Sequence, residues 1–149
     1  FFNALGADPT AMNWSEVFTA IQQGTLDGQE NGVSITDSSK MYEVQDYLTL
    51  WNYSYESDLF IANTDIWESL EPKTQELLAE CAAEACEWGR ETLVNEEADT
   101  IEKFKEEGMT VTYLTDEEMA AFEEAVADFK QEMFEYFGAD ACAAFGIEA

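Results

Sequence analysis

One helix limits what this chain can fold into. Residues 71–107 carry a single proline, Pro72, and a single interior glycine, Gly89. Pro72 suits the first turn, where the N–H it lacks has no helical partner anyway. The predicted helix is on the order of 55 Å long at about 1.5 Å per residue. Its apolar stripe runs Leu78, Cys81, Ala85, Trp88, then Val94, Ala98, Ile101, Phe104. The steps are three or four residues except from Trp88 to Val94, where a step of six turns the stripe by about a third of a circle. The helix is therefore expected to bury one face in its first half and another in its second. A helix spanning two lobes needs such a change.

The elements before it read as follows. Phe1 to Leu5 resembles the end of a helix closed by Gly6, and Pro9 biases Asp8 toward an extended backbone. In the stretch 14–31, Val17, Phe18 and Ile21 recur at helical spacing. Ser15 is the expected N-cap, and Gly24 sits where a left-handed C-terminal residue is wanted. A strand-like segment is expected to follow, ending at Asn31. Trp14 then stands just before a helix and Asn31 just after a strand, two ends that can line one cleft. Residues 33–47 are mixed, with Met41, Val44, Tyr47 and Leu48 at helical spacing. Residues 48–62 are rich in aromatic residues and predict one strand of about 14 residues, which can serve two sheets or cross between two lobes. A short helix is expected over 63–70.

After Gly108, Met109 to Leu114 reads as a strand. Thr115-Asp116-Glu117-Glu118 is a capping box. It opens a helix carrying Met119, Phe122, Val126, Phe129, Met133 and Phe137, and residues 139–149 are a last turn or short helix. There is no internal repeat.

Composition narrows the function. Asp and Glu number 33 against 6 Lys and Arg, a formal net charge of −27. A surface this anionic repels nucleic acid and anionic lipid. It fits a salty habitat, and it equally fits a plainly solvated surface. No apolar run is long enough to span a bilayer. Histidine is absent, which removes Ser-His and Cys-His catalysis within the chain. Cys81 and Cys86 lie on one helix about 140° apart and are not expected to pair. With Cys142 they read as buried, inert thiols, a bridge from Cys142 being the other reading. The acidic clusters, such as Glu96-Glu97-Asp99, lack the ligand spacing and central glycine of a calcium loop. Taken by itself, the block from Asp27 to Asn31 is a polar turn and Trp14 a core or rim aromatic. No catalytic or metal-binding residue is assigned, no cofactor is called for, and no enzyme activity is expected.

A resemblance sharpens this. Ala4-Leu5-Gly6-Ala7, Pro9-Thr10, Trp14-Ser15-Glu16-Val17, Ala20, Gln22, Gly24 and Asp27-Gly28-Gln29-Glu30-Asn31 are similar to the signature of the DctP family. These are the solute-binding proteins of tripartite ATP-independent periplasmic (TRAP) transporters. Lys40, Tyr42 to Gln45, Tyr47-Leu48, Trp67, Leu70 and Pro72 continue the likeness, which weakens after about Gly108. The resemblance implies an α/β fold, the C-terminal part of a two-lobed periplasmic-binding-protein-like architecture. It is helix-rich, with one long spanning helix and a long hinge-crossing strand. Residues 1–62 are expected to hold ligand-lobe elements and the crossing strand, 63–107 the spanning helix, and 108–149 a strand with C-terminal helices.

By the same resemblance the ligand is a small organic acid. Trp14 is its aromatic platform, Asn31 an amide donor to a carboxylate or hydroxyl, and Asn52 and Tyr53 further cleft residues. Gly32 stands where relatives often have proline. The family's carboxylate-binding arginine finds no counterpart, since Arg90 lies in the long helix. The chain opens Phe1-Phe2-Asn3, and we expect a fragment that lacks the N-terminal half. The implied partners are that half and the TRAP membrane subunits, and the implied location is periplasmic or extracellular with a lipid anchor. Two other classes stay open: an acidic helical protein-interaction module with no small-molecule ligand, and a fragment that self-associates through residues 48–62.

Overall fold

The computed structural model describes residues 1–54 and 58–147. Its first helix, α1 (Trp14–Gln22), is capped by Asn13 and not by Ser15, and without a side-chain hydrogen bond. Val17, Ala20 and Ile21 form its buried face. The helix ends in a Schellman motif: Gly24 N–H donates to the Ile21 carbonyl and Thr25 N–H to that of Ala20. Gly24 makes this possible with φ at 70°. The segment up to Asn31 forms no strand. Its side chains bond one another instead, and no neighbouring strand offers it a ladder.

α2 (Val33–Ser38) and a 3-10 turn (Met41–Glu43) follow, so residues 33–47 split into short pieces and do not form one helix. Lys40, with φ at 52°, marks the break. Met41 packs on Val17 and Ile21, with Phe18, Leu26 and Val44 around them.

β1 (Tyr47–Leu50) is far shorter than the strand expected over 48–62. Two causes are visible. Asn52 enters the left-handed region at φ 47°, and the partner strand ends opposite Leu50. Residues 55–57, part of that expected strand, lie outside the described residues.

α3 (Thr64–Ser69) starts at Asn63, whose side chain accepts from Ile66 N–H at 3.1 Å. α4 (Pro72–Glu106) is the long helix, with Pro72 in its first turn. It ends in a second Schellman motif, Gly108 N–H to Lys105 and Met109 N–H to Phe104. The chain then turns into β2 (Thr110–Tyr113), which pairs with β1 in parallel, Tyr47 opposite Thr110 and Leu50 opposite Tyr113. A parallel pair needs a crossover, and α3 with α4 supply it. The second half of α4 is its buried half: Ile101 and Phe104 are in the core, and Phe104 meets Tyr42 at 5.8 Å. Lys103 reaches Asp37 at 2.5 Å and ties α4 to α2.

The first half of α4 does not bury its stripe. Leu78 and Trp88 are exposed, as is Val94 beyond the change of face. Among the described residues, α3 meets this half only near its start, where Gln75 Nε2 donates to the Trp67 carbonyl at 2.7 Å. Cys81 and Cys86, on the same stretch, are exposed free thiols and not buried ones, whereas Cys142 is free and buried.

The Thr115 capping box forms as expected and opens α5 (Asp116–Ala125). The single helix expected onward is interrupted at Val126, with φ −105° and ψ 9°, and resumes as α6 (Ala127–Phe137). Val126 itself is buried. α7 (Ala139–Ala144) closes the described chain. No described helix is long and apolar enough to cross a membrane.

Candidate functional site

A cavity of about 680 Å³ runs along β1 and the segment that follows it. Residues 51–54 extend it past the carboxyl end of β1, where ligands sit in open α/β sheets. The 27–32 loop forms one wall and residues 47–54 another. Phe2, Met109 and Phe122 add apolar surface. Trp51 lies 4.5 Å from Tyr53 and 4.9 Å from Phe122, ring to ring, and Tyr53 stacks on Phe1 at 4.9 Å. Such ring pairs stiffen a wall beyond their buried area.

Opposite stands a polar chain. Asn31 Nδ2 donates to Gln29 Oε1 at 2.7 Å, and Gln29 Nε2 donates to Thr36 Oγ1 at 3.3 Å. Thr36, on α2, is wholly buried. The turn after α1 delivers Gln29 and Asn31 to the mouth of the cavity, and the start of α2 places Thr36 beneath them.

Three of the four residues singled out from sequence line this space: Asn31, Asn52 and Tyr53. Trp14 does not. It is partly exposed at the start of α1, and its indole N–H donates to Ser39 Oγ at 3.0 Å. Gln29, Thr36, Trp51 and Phe122 line the cavity and were not singled out. Gln29 sits inside the Asp27–Asn31 block, which is the only signal that pointed to it. Nothing local marks Thr36.

The charge of the lining is one-sided. Asp27, Glu30 and Glu97 line the cavity and no Lys or Arg does. An anionic ligand therefore needs a cation from outside these residues. Among the described residues, no cluster of Cys, Asp and Glu is arranged to hold a metal ion.

Comparison with known proteins gives the chain its family. The family model described as DctP, bacterial extracellular solute-binding protein family 7, matches residues 1–136. The C4-dicarboxylate-binding periplasmic protein DctP of Rhodobacter capsulatus is 36% identical over 143 residues, 95% of this chain and 43% of that protein. The ectoine-binding periplasmic protein TeaA of Halomonas elongata is 32% identical over 139 residues, 92% of this chain and 41% of that protein. A TRAP periplasmic solute-binding protein from Polaromonas, solved bound to D-erythronate, superposes with a TM-score of 0.90. It is 33% identical and covers 99% of this chain and 48% of its own. The chain thus spans less than half the length of these relatives. They share a two-lobed α/β fold, into which this helix-rich chain with its small parallel sheet fits. This weighs against the acidic interaction module.

Proposed function

The chain belongs to the DctP family of bacterial extracellular solute-binding proteins, and from that premise we propose that it is the C-terminal half of a TRAP solute-binding subunit. The subunit captures a small organic acid between two lobes in the periplasm and hands it to the membrane permease. It binds and releases, with no chemical step. Residues 1–62 supply ligand-lobe elements, 63–107 carry the helix toward the other lobe, and 108–149 complete the packing beneath. A lipid anchor on the other half is part of the same reading.

The observation that carries this is the cavity along β1, lined by Asn31, Trp51 and Tyr53 and of a volume that suits a small molecule. Its acidic lining supports a division of labour. Asn31 and Asn52 offer neutral amides, while the charge that holds a carboxylate comes from the other half, where a bidentate guanidinium is the best fit. Trp14 lies outside this cavity, so its ligand contact depends on closure of the two lobes.

A thermal-shift series on the full polypeptide containing this chain tests the reading. D-erythronate, C4-dicarboxylates and ectoine are the first ligands to try. At least one is expected to raise the melting temperature, by about 2.7 kcal/mol of stabilisation at a hundredfold excess over Kd. No stabilisation by any small acid overturns the proposal. Trp14→Ala then asks whether the indole contributes: unchanged affinity removes it from the site.

A further inference from the structure

We propose that Gln29 and Thr36 are positioning residues that hold the Asn31 carboxamide in place at the cavity; this rests on the cavity being a ligand site. A primary amide presents a donor at one end and an acceptor at the other, and little in its own shape selects between them. Here a relay from below limits how far it turns. Thr36 is 0% exposed, and a β-branched side chain on a helix has few rotamers. Its hydroxyl oxygen accepts from Gln29 Nε2 at 3.3 Å, and the other end of that amide meets Asn31. Gln29 Oε1 accepts from Asn31 Nδ2 at 2.7 Å. Asn31 keeps one N–H and its carbonyl oxygen for a ligand. A donor and an acceptor side by side fit an acid with a hydroxyl next to its carboxylate better than a bare carboxylate. The anchor is itself held. α2 is fastened to α4 by Asp37 and Lys103, one residue along from Thr36. Without the relay Asn31 turns freely, and a ligand must order it at a cost in affinity.

The test uses the full polypeptide with Thr36→Val, Thr36→Ser, Gln29→Met and Asn31→Ala. The first readout needs no ligand: the side-chain amide 15N–1H pair of Asn31, assigned by its loss in Asn31→Ala. Thr36→Val and Gln29→Met are expected to shift this pair, and Thr36→Ser to leave it in place. The second is calorimetric affinity for D-erythronate, expected to fall about three- to tenfold in Thr36→Val and Gln29→Met. Thr36→Ser restores it, although the lost buried methyl lowers its melting temperature. A merely structural Thr36 predicts the reverse, with affinity indifferent to the hydroxyl. An amide pair unmoved in both Thr36→Val and Gln29→Met overturns the inference. If the pair moves while Asn31→Ala leaves affinity intact, the relay stands and the ligand-site reading falls.

Discussion

Asn52 shows how one residue can serve the backbone and the cavity together. Its φ of 47° ends β1, and asparagine tolerates that conformation better than branched residues do. Two substitutions separate the roles. Asn52→Gly keeps the turn and deletes the amide, so stability should hold while ligand affinity falls. Asn52→Val should lower unfolding free energy by about 1–2 kcal/mol, read from urea denaturation. Equal stability in the two variants would show that the backbone conformation does not select the residue. Asn31 was legible in the sequence because it closes a compact block, Asp27 to Asn31, with a recognisable setting. Thr36 was not, because its partner Gln29 reaches it only after α1 has ended and the chain has doubled back. The left-handed turn at Asn52 was hidden for another reason. Aromatic alternation over 48–54 is a strand signal, and it carries no mark of where the partner strand stops.

Helix ends were the most legible elements, since their causes are local. The Thr115 box forms as read. Glu118 accepts from the Thr115 backbone N–H at 2.8 Å, and the Thr115 hydroxyl accepts from Glu118 N–H at 3.2 Å. The Thr115 backbone N–H, followed by its hydroxyl, holds the Glu118 carboxyl below its usual value of 4.5. The sign follows: a depressed folded pKa adds stability above the ordinary value, lost as pH falls through the folded one. Thr115→Ala should cost roughly 1 kcal/mol at neutral pH, and the gap to wild type should narrow once acid protonates Glu118. A gap that stays constant into acid would assign the loss to the hydroxyl cap alone. Gly108 makes the companion case at the end of α4. At φ 102° it has open space around it, so Gly108→Ala should cost about 1 kcal/mol or more through backbone strain and not through a clash. Circular dichroism melts decide it. The break at Val126 escaped the sequence because the apolar stripe runs straight through it.

At the scale of the molecule, two features pull against independent folding: the charge of −27 and the uncovered face of α4. Trp88 is 70% exposed and Val94 69%. Leu59, Phe60 and Ile61 are exposed as well. A soluble monomer rarely leaves large apolar patches bare. The stripe that turns between Trp88 and Val94 is what a helix presenting its faces to two bodies requires, so the other half of a two-lobed protein is the occupant we expect. Both features can be probed together. In low salt the isolated chain should be held apart by self-repulsion and melt at a low temperature. At about 1 M salt, where the Debye length is about 3 Å, repulsion is screened. Stability should then rise, and the bare face should drive association, visible by light scattering. In the full polypeptide the salt-induced association should disappear and Trp88 should resist acrylamide quenching. Equal quenching of Trp88 in the isolated chain and the full polypeptide would mean that the face stays open, and the helix would have to find its partner elsewhere.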